Sequence, residues 1–127
     1  MLDSIKIGCI EPIRHCARVL LTPADIPLFT ADTVKRLLCL EAPVAIPVYN
    51  GRKGHPIALS REMITYADAY HGSGGLAGAI AASGCATLFA DVDDEGVLYD
   101  MDTPEDYERL LAMYDQRRST FLNDRRD

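Results

Sequence analysis

The chain has no tryptophan, and its four cysteines, Cys9, Cys16, Cys39 and Cys85, form no C-x-x-C pair. Without close paired spacings, neither a zinc ribbon nor a small disulfide framework is indicated. His15 stands beside Cys16 with Cys9 nearby, but the spacing fits no standard zinc site. Small buried thiols are the ordinary reading of such cysteines. No apolar run approaches the roughly 20 residues of a membrane span. Met1-Leu2-Asp3-Ser4 lacks the basic-then-apolar order of a secretory leader. Basic residues are also few, 13 Lys and Arg against 19 Asp and Glu, for a formal charge of −6. A nucleic-acid partner, which calls for a concentrated basic face, is not expected.

What is present is a chain of 127 residues, 48% hydrophobic and 25% charged. That composition predicts one soluble, cytoplasmic globular domain over residues 1–127. Ser4 to Cys9 reads as a helical turn ended by Pro12, and Ala17 to Thr22 as a strand stopped by Pro23. Thr30 caps a helix reaching Leu40, and Val44 to Tyr49 forms the second strand. A turn over Asn50 to Gly54 leads to a third strand, Pro56 to Leu59. Ser60 caps a helix to Tyr70 with Met63, Ile64 and Ala67 inward. A small-residue helix, Leu76 to Ser83, follows a glycine loop.

Thr87 to Asp91 and Val97 to Tyr99 read as two more strands around the acidic turn Asp93 to Gly96. Thr103-Pro104-Glu105-Asp106 combines a cap, a proline at the first helical position and two acids at the positive end of the dipole. That helix is expected to run to about Tyr114, with 116–127 as a frayed polar tail. Strands alternating with helices predict an α/β fold with a partly parallel sheet.

Three segments could carry chemistry. In Leu21-Thr22-Pro23-Ala24-Asp25-Ile26-Pro27-Leu28, an apolar strand delivers a carboxylate at its C-terminal end, where α/β sheets bind ligands. A carboxylate there suits a hard cation such as Mg²⁺ shared with phosphates, or it merely caps the turn. In Asp100-Met101-Asp102-Thr103-Pro104, alternation places two acids on one face, where they repel unless a cation lies between them. Ordinary turn and cap chemistry is the alternative. Asn50-Gly51-Arg52-Lys53-Gly54-His55-Pro56 sets two cations and an imidazole on a hairpin, either a contact for an anionic substrate or a solvated tip. Gly72-Ser73-Gly74-Gly75-Leu76-Ala77 matches G-x-G-x-x-A formally, but a helix rather than a strand precedes it, so it is not read as a dinucleotide fingerprint.

Taken in order, these blocks resemble the C-terminal part of the MobA-like nucleotidyltransferase domain, of the molybdopterin cytidylyltransferase and molybdenum-hydroxylase accessory type. Met1 to Gly8, Thr22 to Leu28, Gly51 to Pro56, and Asp91 to Leu98 leading into Asp100 to Asp106 carry the resemblance, which reaches about residue 114. It implies a nucleotide-diphospho-sugar-transferase-like, Rossmann-like fold: three α/β/α layers about a mixed, mostly parallel sheet that lacks the N-terminal strands. It further implies Mg²⁺-dependent transfer of a nucleoside monophosphate from CTP or GTP to a phosphorylated, molybdopterin-like acceptor. Asp25 with Asp100 or Asp102 would hold the metal, and Pro27, Arg52, Lys53, Gly54 and His55 would shape the acceptor pocket.

The family opens with a strand and a loop of the type L-A-A-G-x-S-x-R-M-G that cradles the triphosphate, and this sequence has no counterpart. The expectation is therefore a chain inactive or incomplete alone. Val19-Leu20-Leu21, central in the family, would then have an open edge. A homo-oligomer, or docking with a separate N-terminal half, is expected from that edge. A non-catalytic accessory module of molybdenum cofactor metabolism and a non-functional fragment are the alternatives.

Overall fold

The computed structural model describes residues 2–8 and 10–125, so Cys9 and the last two residues of the tail lie outside it. The elements are α1 (Leu2–Gly8), α2 (Ile10–Ile13), β1 (Arg18–Leu21), α3 (Ala31–Leu38), β2 (Val44–Tyr49), β3 (Arg52–Lys53), β4 (Ile57–Ser60), α4 (Arg61–Ala69), α5 (Gly75–Ser83), β5 (Thr87–Asp91) and α6 (Pro104–Asp124). A 3-10 turn, Glu95–Val97, lies between β5 and α6.

Polar caps start three of the helices. The Thr30 side chain accepts from the Thr33 amide (3.3 Å) and Ser60 from the Met63 amide (3.2 Å). Thr103 and Asp106 exchange reciprocal bonds of 3.1 Å, with Pro104 supplying a first position that needs no donor.

The four longer strands lie in the order β1-β4-β2-β5, with β3 folded back on the end of β2. β1 and β2 each pair antiparallel with β4, and β2 pairs parallel with β5. Thus β1, β2 and β5 point one way and β4 the other, so the sheet is mixed. Among the described residues the outer edge of β1 has no partner, and Val19, Leu20 and Leu21 are only half-buried.

Alternation along the strands splits the core in two. Val44, Ile57 and Leu59 face α1, α2, α4 and α5 through Ile5, Ile13, Met63, Ile64, Ala67, Leu76 and Ala79. Their neighbours Ala45, Ala58 and Ala90 face α3, where Leu37 is fully buried. Three layers, α/β/α, result.

Two expectations are corrected. Val97 to Tyr99 is not a strand: Asp94 Oδ1 accepts from the Gly96 amide (3.1 Å), the Leu98 amide closes on the Glu95 carbonyl (3.0 Å), and the Val97 carbonyl takes the His55 amide (2.8 Å). The chain spends these groups on a turn, leaving none for a ladder. The last helix does not stop near Tyr114 but continues to Asp124, so residues 116–124 extend it.

Arg117 anchors that extension. Its guanidinium donates to the Leu28 carbonyl and to Asp94 Oδ1 (3.2 Å). Asp94, only 3% exposed, also accepts from the Thr30 amide and the Thr33 hydroxyl, both at 2.7 Å. Burial pushes the Asp94 carboxyl up, but the bonds from Thr33 and Thr30 and the Arg117 charge outweigh it and hold the pKa below the ordinary value. A folded pKa below the unfolded one means that Asp94 contributes stability above about pH 4 and loses it as pH falls through the folded value. We expect Asp94→Asn to cost about 3 kcal/mol in urea unfolding at pH 7. The deficit should shrink as pH drops below about 4, where the unfolded parent takes up the proton first, and vanish below the lower folded value, where the native carboxylate is protonated as well. A constant deficit across that range would exclude the charge as its source.

Candidate functional site

The strand directions set where chemistry can gather. The C-terminal ends of β1, β2 and β5 share one rim of the sheet, and β4, running the other way, begins on that rim. Leu21 pairs with Ile57, so the loop after β1 and the segment before β4 lie side by side. The first carries Asp25 in a turn closed by the Ile26 amide on the Pro23 carbonyl (3.2 Å), and the second carries His55 before a cis Pro56.

His55 is half-buried and its Nδ1 has no hydrogen-bond partner among the described residues. Burial lowers its pKa, while the Leu21 carbonyl and the Asp25 charge pull upward without prevailing. The ring is therefore neutral near pH 7. Gly54, beside it, is buried because the hairpin packs on the 3-10 turn. An added Cβ would lie 2.7 Å from Val97 Cγ2 and 2.8 Å from its carbonyl carbon, so only glycine fits.

Asp100 and Asp102 lie on the exposed segment between the 3-10 turn and α6. Asp102 has its carboxyl pKa raised, chiefly by the Asp100 charge, then by burial, then by the charges of Asp25 and Asp106. Asp25, Asp100 and Asp102 thus share one electrostatic field, and Asp25 also acts on His55.

Arg52 and Lys53 pair with the C-terminal end of β2. Both are exposed on β3, and Lys53 Nζ sits 4.8 Å from the centroid of the Phe89 ring on β5. Pro27 opens onto a groove shared with Tyr114, Arg118 and Phe121 of α6.

Among the described residues, no group of three or more His, Cys, Asp or Glu side chains is placed to hold a metal ion, so Asp25, Asp100 and Asp102 do not converge as one ligand set. The donor chemistry fits a hard divalent cation nevertheless. Such ions take one or two protein carboxylates and fill the remaining positions with water and substrate phosphate. The acids that raise the pKa of Asp102 mark a surplus of negative charge that a cation relieves.

Sequence reasoning missed Asp94, Thr33 and Arg117, which place the segment bearing Asp100 and Asp102. The Asp-x-Gly spacing of Asp94 and Gly96 is the signature of a side chain bonding the amide two residues on. No comparable local signal marks Arg117, 23 residues away.

The MobA-like NTP transferase domain model matches residues 1–93. Asp25 and His55 fall within that match, and Asp100 and Asp102 lie beyond it. No curated protein matches the chain. Solved structures do. A homolog of Mycobacterium tuberculosis Rv0371c from Mycobacterium sp. strain JC1 is 30% identical with a TM-score of 0.68, over 87% of this chain and 57% of that one. Rv0371c from M. tuberculosis H37Rv, in complex with manganese, is 23% identical with a TM-score of 0.70, over 86% of this chain and 60% of that one. The molybdopterin-guanine dinucleotide biosynthesis protein A of Archaeoglobus fulgidus is 13% identical with a TM-score of 0.61, over 91% and 63%. The chain therefore spans less than two-thirds of the length of each. With 93 of 127 residues matched and the same α/β/α sheet shared with these structures, the chain belongs to the family of MobA-like NTP transferase domains.

Proposed function

We propose that this chain supplies the metal- and acceptor-binding end of a nucleotidyltransferase that uses Mg²⁺. The reaction moves a nucleoside monophosphate from CTP or GTP to a phosphorylated, molybdopterin-like acceptor. An acceptor phosphate oxygen bonds to the α-phosphorus while the bond from the α-phosphorus to the bridging oxygen breaks, and pyrophosphate departs with that electron pair. The observation that carries this reading is the shared field of Asp25, Asp100 and Asp102 at the rim of the sheet, in a chain of this family.

Asp25 with Asp102 or Asp100 would hold the cation, which supplies charge neutralisation on the triphosphate oxygens. Neutral His55 would position the acceptor without adding charge, and Arg52 and Lys53 would draw its phosphate toward the hairpin. Pro27 and Gly54 would set the walls. The manganese complex of Rv0371c supports a divalent ion in this fold. The outer edge of β1, unpaired among the described residues, favours a partner that brings further strands, and a separate nucleotide-binding half has that chemistry.

The same edge favours a second reading, a non-catalytic accessory module that holds the phosphorylated acceptor. Calorimetry with CTP or GTP separates the two: the metal end of a catalytic chain takes up the triphosphate weakly and only with Mg²⁺ present, and an acceptor-only module gives no binding isotherm with or without it.

Mn²⁺ serves as a paramagnetic probe of the metal site. We expect Asp25→Asn to weaken Mn²⁺ binding about tenfold or more, read by water-proton relaxation, with the circular dichroism unchanged. Unaltered affinity would remove Asp25 from the metal site. Because the folded pKa of Asp102 is raised, protons should begin to displace Mn²⁺ at a higher pH than an ordinary aspartate would allow. Asp100→Asn removes the largest cause of that shift and should move the acid limb of the binding profile downward.

A further inference from the structure

Helix α6 presents two longitudinal faces. Leu110, 4% exposed, turns inward with Met113 and Arg117. On the adjoining face, about a quarter turn round, Tyr107, Leu111, Tyr114, Arg118, Phe121 and Arg125 follow one another at steps of four, three, four, three and four residues. That is the spacing of a two-helix seam. Tyr107, Leu111, Tyr114 and Phe121 are 51%, 40%, 50% and 58% exposed, on a helix of 21 residues. Beside them Pro27, Leu28 and Phe29 wall a groove with Tyr114, Arg118 and Phe121, which carries the apolar strip onto the body.

We propose that this outward face is a self-association surface, on which α6 pairs antiparallel with α6 of a second copy of the chain. The side chains choose both occupant and direction. A parallel, in-register pair would set Arg118 against Arg118 and Arg125 against Arg125, like charges in a seam. The antiparallel pair sets Arg118 against Tyr114 of the other copy, Arg125 against Tyr107 and Leu111 against Phe121. Each guanidinium then meets an aromatic face and each apolar residue an apolar one.

The charges beside the seam agree. Residues 104–115 hold Glu105, Asp106, Glu108 and Asp115 against Arg109, whereas 116–125 hold Arg118 and Arg125 against Asp124, with Arg117 turned inward to Asp94. Laid antiparallel, the acidic half of one helix lies over the basic half of the other. A two-fold axis satisfies both halves with one patch.

Size-exclusion chromatography with light scattering, at roughly 10 to 100 µM as suits one helix pair, tests this. The expected result is a dimer mass for the parent. Leu111→Glu and Phe121→Glu should each raise the dissociation constant about tenfold or more, at unchanged circular dichroism. Arg118→Glu has the same expected effect at a side chain that ion-pairs with no described residue, so it decides the matter if the other two disturb the helix. Direction is read by oxidising a mixture of Leu111→Cys and Phe121→Cys chains whose native cysteines are serine. Mixed disulfides are expected, and disulfides within each variant alone would overturn the antiparallel pairing. A monomer throughout the range, or a dimer indifferent to the substitutions, would overturn the surface itself.

Discussion

One buried carboxylate holds together parts of the chain that would otherwise have no reason to meet. Asp94 ties the end of β5 to the start of α3 through Thr30 and Thr33, and to α6 through Arg117. A carboxylate so enclosed is stable only with its lone pairs occupied, and here backbone, hydroxyl and guanidinium donors occupy them. Everything C-terminal to β5 takes its path from that arrangement. The 3-10 turn follows from the Asp94–Gly96 bond, the hairpin rests on the turn through the His55 amide, and α6 is fastened by the arginine that completes the set.

The site is built on top of this clamp. β4 is the strand that runs against its neighbours, and it brings His55 to the rim where β1 delivers Asp25. Had β4 run parallel, its first residues would lie at the far end of the sheet. Acids from two distant stretches of sequence then act on one carboxyl, that of Asp102. That crowding is the basis of the proposed cation site.

Much of this was legible because local chemistry announced it. Val44–Tyr49 and Thr87–Asp91 are strands where alternation and flanking turn residues placed them, and Thr30, Ser60 and Thr103 cap the helices expected of them. The family was readable from four short blocks in order. What failed was non-local. Val97 to Tyr99 has strand-forming side chains, but hydrogen-bond partners 64 and 23 residues away from Asp94 decide its backbone. The polar run after Tyr114 looked like a tail because nothing in its own sequence shows that Arg117 reaches the Leu28 carbonyl. The field joining Asp25 to Asp102 depends likewise on which strand lies beside which, and side-chain spacing within a segment does not encode that.

The two faces of the sheet differ in how freely they can vary. Beneath α3 each of three strands contributes an alanine, Ala45, Ala58 and Ala90, and Leu37 rests directly on that floor. Added volume at these fully or nearly fully buried positions would press on the helix whose first turn Asp94 grips. The opposite face, with Met63, Ile64 and Leu76, is made of side chains that can trade volume with one another. Evolutionary drift in this chain should therefore be lopsided: broad repacking in the thick layer, and near-silence under α3, where the helix cannot rise without loosening the hinge-point of the whole C-terminal third.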